Sequence, residues 1–347
     1  MMALKEHRPF PEIPSALLCE ILGRLPIKTC LTCKLVCKEW YHAIASPEFS
    51  SFLCRFMAPQ LNVLFCCYSG ATVRSTFNLI GLEKGSNADD SGNCIVGADD
   101  RIRFKPKFDI SSEILYVCYR GNGVVLLVCT KDDYFVCNLL AGQWMKLQNL
   151  HQVRDQSYDV SRCELGCCPV SGQFKVLVLL WDVERKIQLA KIQTLGDGEW
   201  RSVGNSPLKI VRGGCFLNGS SHWRDDKSIW SFHFGEERFS PTPIPFPDDV
   251  ISEAYKKKSK ILCVFDYCLC LRCSSCVVGD EIDVWIMKEY GVKESWVRQF
   301  VIVNDPWSVP LMHMDKGKIL VESGNKLYLY DPQTRVSKTM NFDGLSG

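Results

Sequence analysis

The stretch of sequence that decides the fold is IPSALLCEILGRLPIKTCLTCKLVCKEWYHAIAS, residues 13–46. Its apolar residues recur at helical spacing, a period that the rest of the chain lacks. Leu17, Leu18, Ile21, Leu22 and Leu25 follow one another at i, i+1, i+4, i+5 and i+8, which places them on one stripe of a short helix. The N-terminal part of the chain is therefore predicted to be helical.

Turn and cap residues divide this stretch into three short helices. Ser15, after Pro14, is the predicted N-cap of the first helix, and Pro26 ends that helix because proline disfavours helical geometry in the preceding residue. The second helix is expected at about 29–35 and the third at about 38–45. Three helices of this length bury little surface by themselves, so we expect the unit to need a partner.

The same residues carry a family resemblance. The motif consists of Ile13-Pro14, Leu17, Glu20-Ile21-Leu22, Arg24-Leu25-Pro26-Ile27-Lys28, Val36-Cys37-Lys38 and Trp40. This pattern resembles a plant F-box, the helical module that docks Skp-type adaptors of cullin ubiquitin ligases, and we predict an F-box over residues 10–56. Three positions depart from the family: Ser15, where an acidic residue is common, and Cys30 and Cys33, where leucine and phenylalanine are usual.

The resemblance implies a role for nine residues. Adaptor-binding residues would be Pro14, Leu17, Ile21, Leu22, Leu25 and Pro26, and the core of the F-box would contain Val36, Cys37 and Trp40. The alternative is that all nine pack within the module or on the larger domain. We favour that alternative for Trp40, because a helical aromatic among apolar neighbours is usually buried. We favour the partner for Pro14 and Leu17, because a three-helix unit leaves apolar surface to be covered.

Residues 61–347 have the pattern of an all-β repeat architecture. A turn containing glycine precedes an aromatic residue that opens a short strand at Trp144, Trp200, Phe239 and Trp296, with a degenerate copy at 331–336. Strands precede each turn, and such a meander repeated every ~40–50 residues is typical of β-propeller blades. A length of 287 residues divided by ~48 predicts a β-propeller-like domain of about six blades, the first of them weakly marked.

These repeats also resemble the F-box-associated interaction domain of plant F-box proteins. The resembling stretches include GEWRSVG at 198–204, FLNGSSHW at 216–223 and IDVWIMKEYGVKESW at 282–296. The resemblance implies a non-catalytic substrate-recognition subunit of a Skp, cullin and F-box ubiquitin ligase, which binds an unknown protein target through its C-terminal domain. The alternative is an interaction scaffold outside the ligase whose F-box is degenerate, an idea motivated by Ser15, Cys30 and Cys33.

Composition excludes several other classes of function. The chain has 41 basic and 39 acidic residues and a net charge of +2, which gives no electrostatic footprint for nucleic acid or an anionic membrane. Its longest apolar runs are six residues, 124–129 and 176–181, which is too short to span a bilayer, and the N-terminus lacks the pattern of a signal peptide. The twenty cysteines are expected to be reduced and buried, as in a protein of the cytoplasm or nucleus.

The sequence contains none of the common catalytic or metal-binding motifs that would indicate an enzyme. The six histidines form no HExxH motif, and neither a G-x-S-x-G elbow nor a phosphate-binding glycine loop is present. We interpret His222 as a core histidine rather than a general base. The strongest metal candidates are Cys268, Cys270, Cys273 and Cys276, but alternation along a strand would point their thiols apart, so neither a metal nor a cofactor is predicted.

Overall fold

The N-terminal region of this computed structural model is helical. The structure describes residues 13–25, 27–56, 62–67, 76–81, 95–96, 101–104, 114–119, 124–129, 133–147, 158–207, 209–210, 214–225, 228–245, 258–275, 277–303, 305–324 and 326–342. The helices are α1 (Ser15–Gly23), α2 (Ile27–Cys33), α3 (Lys38–Ala45) and α4 (Pro47–Phe56). The predicted bounds of the third helix are confirmed. Pro14, rather than Ser15, is the residue that precedes α1.

The prediction of three helices is wrong, because α4 follows α3 after a single residue. Ser46 is extended, and its hydroxyl oxygen accepts a hydrogen bond from the backbone N–H of Phe49 at 3.1 Å. This is the geometry of a helix N-cap, and Pro47 occupies the first helical position, where its missing N–H costs nothing. Pro47 therefore starts a fourth helix instead of only ending the third.

The β domain begins with a small unit and continues with five complete blades. The small unit contains β1 (Asn62–Cys67), β2 (Thr76–Gly81), β3 (Ile95–Val96) and β4 (Arg101–Phe104), of which β1, β2 and β4 form an antiparallel sheet. The five blades are four-stranded antiparallel meanders in chain order. The first contains β5 (Ile114–Tyr119), β6 (Val124–Cys129), β7 (Tyr134–Asn138) and β8 (Gln143–Lys146). The second contains β9 (Tyr158–Cys167), β10 (Phe174–Asp182), β11 (Ile187–Thr194) and β12 (Arg201–Asn205), and the third contains β13 (Cys215–Leu217), β14 (Ser220–Arg224), β15 (Ile229–His233) and β16 (Arg238–Thr242). The fourth contains β17 (Ser259–Phe265), β18 (Cys268–Ser274), β19 (Glu281–Met287) and β20 (Trp296–Val303), and the fifth contains β21 (Val309–His313), β22 (Ile319–Ser323), β23 (Lys326–Asp331) and β24 (Val336–Thr339).

The predicted number of six blades is wrong, because the described strands of the first unit form a sheet of three strands instead of four. Its short strand β3 pairs instead with β25 (Asn341–Phe342), the last strand described. The two strands run parallel, with Asn341 opposite Ile95 and Phe342 opposite Val96. This pairing joins the end of the β domain to its first unit, which is a way to protect the open strand edges of a propeller.

Apolar clusters join each of the five blades to the next. In the β6 strand Val124, Leu126 and Val128 pack with residues of β9 and β10, and equivalent clusters link the later blades in turn. Three of the repeated aromatics, Trp200, Phe239 and Trp296, contribute to these clusters, whereas Trp144 lies at the surface. The indole Nε1 of Trp296 also donates to the carbonyl of Pro243 in the preceding blade at 3.1 Å.

Cations form a second set of contacts between neighbouring blades. The ammonium of Lys175 in β10 donates to the carbonyl of Phe234 at 2.9 Å and to the carboxylate of Glu237 at 2.6 Å. Arg201 also donates to Glu237, and these two cations hold the pKa of the Glu237 carboxyl below its usual range despite partial burial. Arg224 in β14 donates to the carbonyl of Lys260 in the next blade at 2.7 Å.

A close approach between two blades occurs at Gly166 in β9. A Cβ atom at this position would lie 2.2 Å from Cδ2 and Cε2 of the Phe234 ring. Phe234 is fully buried, so the ring has no free space into which it can move. The absence of a side chain at Gly166 therefore allows the two blades to pack together.

We predict that Gly166→Ala destabilises the propeller by about 1–3 kcal/mol, because the new methyl group overpacks this interface. Chemical denaturation of the two proteins measures the difference. The Phe234→Leu variant provides the matched background, in which Gly166→Ala should cost less because the ring has been removed. Equal costs in the two backgrounds would contradict the packing account.

Candidate protein-interaction surfaces

The predicted apolar stripe of α1 is divided between two faces of the helix. Leu18 and Leu22 are buried in a cluster with Ile44 of α3 and Phe49 of α4. Leu17 and Ile21, one turn apart on the adjacent side, are 48% and 43% exposed, as is Ile13 at 45%. The helical module therefore presents an apolar outer face, which we define as Ile13, Leu17 and Ile21.

The structure separates the six residues predicted to bind an adaptor. Pro14 is exposed beside Leu17 and Ile21, whereas Leu22 is buried and Leu25 is partly buried against the helical core. The burial of Leu22 assigns its side chain to packing within the module in this chain. Pro26 lies outside the described residues. Pro14, Leu17 and Ile21 are thus the predicted residues that an adaptor could contact directly.

Two of the three predicted core residues are exposed. Val36 is 62% exposed, and both Val36 and Cys37 lie between α2 and α3. The chain turns there, and the backbone N–H of Val36 donates a hydrogen bond to the carbonyl of Cys33. Their side chains therefore project from a turn instead of a helix face, contrary to the prediction. Trp40 in α3 is partly buried against the helical core, in the position favoured for it.

The unusual cysteines of the module occupy packed positions. Cys30 is buried in the cluster with Leu18, Leu22 and Ile44, and Cys33 packs against its edge. Burial is the main cause that raises the pKa of the Cys30 thiol to about 12, so this thiol is protonated at neutral pH. The two cysteines thus replace larger apolar residues without opening the core to solvent.

The inner face of the helical module packs on the β5–β8 blade. The cluster that contains Leu22 and Phe49 also contains Val125, Leu127 and Cys137 of β6 and β7. Alternate residues of β6 thus point in opposite directions, one set toward the helices and the other toward the next blade.

Polar contacts fix the same junction. The amide nitrogen of Asn138 donates to the hydroxyl of Ser50 in α4 at 2.9 Å, and its amide oxygen accepts from the backbone N–H groups of Leu140 and Ala141, both at 3.0 Å. The ammonium of Lys34 donates to the carbonyl of Leu140. The sequence NLLAGQW from 138 therefore forms an asparagine-capped turn that contacts the helices.

A buried polar cluster lies between the β13–β16 and β17–β20 blades. His222 is fully buried, and its Nε2 lies 2.7 Å from the phenol oxygen of Tyr290, which reaches over from the next blade. Burial lowers the pKa of His222 to about 4, so the imidazole is neutral at physiological pH. Because this ring is enclosed between blades, its position fits the predicted core histidine and not a base that meets substrate.

The cysteines of β18 point to different sides of the sheet. Cys270 belongs to the cluster shared with the β21–β24 blade, whereas Cys273 belongs to the cluster shared with the β13–β16 blade. Cys276 lies outside the described residues. Within the described ranges no group of three or more His, Cys, Asp or Glu side chains is placed to hold a metal ion. Cys167 is disulfide-bonded, so the expectation of reduced cysteines is wrong at that position.

The described helices are also too short, or not apolar enough, for any of them to cross a membrane.

Comparison with known families agrees with the two structural parts. An F-box domain model matches residues 10–52, and a model of the F-box associated beta propeller domain matches residues 74–342. The fold and its outer helical face thus define a class, a helical F-box joined to a β-propeller. The chain belongs to the plant F-box proteins that carry an F-box-associated β-propeller domain.

Relatives from Arabidopsis thaliana cover nearly the whole chain. F-box protein CPR1 is 25% identical, with 94% of this chain and 84% of the relative covered, and F-box/kelch-repeat protein At3g23880 is 23% identical, with 92% and 87% covered. Among solved structures, a chain of the nidogen/laminin complex matches 81% of this chain with a TM-score of 0.45 and 10% identity, a similarity too low to support a conclusion.

The neutral state of His222 predicts a dependence of stability on pH. Its pKa is about 4 in the folded chain and ordinarily about 6.5, so between these values the unfolded chain binds a proton that the folded chain does not. Folding stability should therefore fall as the pH drops from about 6.5 to 4, by up to about 3 kcal/mol from this group.

Denaturant titrations at several pH values measure this effect. In His222→Asn the free energy of unfolding should vary less steeply with pH over that range, whereas the same substitution at the exposed His42 should leave the slope unchanged. Parallel pH curves for wild type and His222→Asn would show that His222 is not buried in its neutral form.

Proposed function

We propose that this protein is the substrate-recognition subunit of a Skp, cullin and F-box ubiquitin ligase. The observation that carries the proposal is the outer face of α1, where Leu17 and Ile21 are exposed while Leu18 and Leu22 of the same helix are buried. Two large apolar side chains one turn apart on a surface are typical of a site that a partner helix covers. The family match supports a Skp-type adaptor as that partner.

The proposed mechanism is proximity and requires no catalytic residue in this chain. The adaptor would link the helical module to a cullin, while the propeller holds a target protein. A tethered target lysine then meets the ubiquitin-charged conjugating enzyme at an effective concentration of about millimolar. The contacts of Asn138 with Ser50 and of Lys34 with Leu140 join the blade to the helices and support this mechanism, because a fixed junction restricts the positions that the target can adopt.

The alternative is an interaction scaffold with a degenerate F-box. Ser15 motivates it, since this exposed residue replaces a common acidic one at the start of α1. The packed positions of Cys30 and Cys33 support the ligase subunit instead, because the core beneath the outer face is intact. An adaptor dissociation constant weaker than ~10 μM, about −7 kcal/mol, would favour the scaffold.

We propose that the protein acts in the cytoplasm, the nucleus or both. Thirteen of the described cysteines are free, against the disulfide-bonded Cys167, and this predominance of thiols supports the location because thiols are kept reduced in those compartments.

We expect the double variant Leu17→Asp, Ile21→Asp to lose adaptor binding by at least about 100-fold. Each carboxylate would be desolvated in an apolar contact, which is costly, while the helix core stays intact because both positions are exposed. Titration of a purified Skp-type adaptor against the full chain by calorimetry measures the effect.

The matched control is Val170→Asp, Val336→Asp, which places the same charges on two exposed propeller positions and should bind the adaptor like wild type. Both variants should unfold at the wild-type temperature. Wild-type affinity in the α1 double variant would overturn the assignment of this face to the adaptor.

A further inference from the structure

An exposed tryptophan lies on the loop between β20 and β21, on the propeller. Trp307 is 55% exposed, and no aromatic ring in the part of the chain that the structure describes packs against it. Trp144, the other tryptophan with a largely exposed side chain among the described residues, differs in this respect, because its ring contacts Phe135 edge-on with centroids 6.1 Å apart. Large exposed apolar rings without a packing partner mark interaction sites.

Hydrogen bonds hold the backbone of this loop in one conformation. The Asp305 carboxylate accepts from the N–H of Trp307 at 2.8 Å, and the Asp305 carbonyl accepts from the N–H of Ser308 at 2.9 Å. The fully buried guanidinium of Arg272 in β18 donates to the carbonyl of Ser308 at 3.0 Å and to the carbonyl of Pro306. The loop therefore presents Trp307 in a fixed position, and binding would lose little backbone entropy.

The turn between β18 and β19 adds further apolar surface at the same edge of the blade. Val277 and Val278 in this turn are exposed. Arg272 lies two residues before the end of β18, so the loop that it binds and the turn that follows β18 are located at the same end of that strand. We define the Trp307 patch as Val277, Val278 and Trp307.

Two carboxylates, those of Asp280 and Asp305, lie two residues from the Trp307 patch in the sequence. Asp280 accepts a hydrogen bond from the Ser275 hydroxyl at 2.6 Å, and neither Asp280 nor Asp305 pairs with a lysine or arginine among the residues described. The nearby cations of this blade, Lys258 and Arg298, are already bound to the buried carboxylate of Asp283. A partner with basic side chains would thus be attracted to this edge.

We propose that the Trp307 patch binds an extended segment of the target protein in which an apolar side chain is flanked by lysine or arginine. The apolar side chain would pack on the indole, and the basic side chains would pair with Asp280 and Asp305. This inference rests on the proposed function for its biological meaning, since it specifies the class of sequence that the receptor recognises. An acidic or nucleic-acid ligand is disfavoured by the same two carboxylates.

The experiment selects binders from a displayed library of random 12-residue peptides on the full-length protein in complex with a Skp-type adaptor. We expect enriched peptides to contain an apolar residue with lysine or arginine within two positions. Synthetic peptides from this set should bind at least about tenfold more weakly to Trp307→Ala, and about threefold more weakly to Asp280→Asn. Trp144→Ala is the matched control and should bind like wild type.

The outcomes separate this proposal from the proposed function. Three results would overturn the proposal. Acidic peptides could be enriched, no peptide could be enriched relative to the Trp307→Ala protein, or the peptides could bind Trp307→Ala with unchanged affinity. Calorimetry with the adaptor alone, in the same preparations, tests the ligase assignment independently of peptide binding. Trp307→Ala should melt at the wild-type temperature because the ring is exposed, so lost peptide binding would report the surface and not the fold.

Discussion

Alternate side chains of β6 pack in opposite directions, Val125 and Leu127 against the helices and Leu126 and Val128 against the next blade. Each such side chain contributes about 1.5–3 kcal/mol when it leaves water, so both contacts are substantial. Because β6 is shared, the helical module cannot separate from the propeller without exposing one side of that strand. This commitment of the inner helical face leaves the outer face, around Leu17 and Ile21, available to another protein.

The shared strand would also allow the two proposed binding surfaces to cooperate. The outer face of α1 and the Trp307 patch lie on different parts of a molecule whose blades are joined in series by apolar clusters. A rigid body of this kind keeps a bound target at a defined place relative to a bound adaptor. Specificity then lies in the loops, whereas the blades supply their positions.

Periodicity and turn residues were sufficient to predict the bounds of α3 and the meander of strands, and the resemblance of the F-box and repeat motifs identified the family. They could not show that Leu22 is buried while Ile21 is exposed, because both lie on one broad stripe and the residues that pack with Leu22, such as Ile44 and Phe49, belong to later helices. The blade count failed because β3 pairs with the distant β25, a contact of high sequence separation. Trp307 was missed because its significance depends on Arg272, which donates to the carbonyls of its neighbours Pro306 and Ser308 from another strand.

The most direct test of the central claim is native-state hydrogen exchange on the full chain and on Leu127→Ala, which removes a helix-facing side chain of β6 at a cost of about 2–5 kcal/mol. The shared-strand account predicts that amides of α3, α4 and β6 lose protection together in this variant, while β17–β24 keep theirs. Unchanged protection of α3 and α4 in Leu127→Ala would contradict it, because the helices would then be stable without the blade.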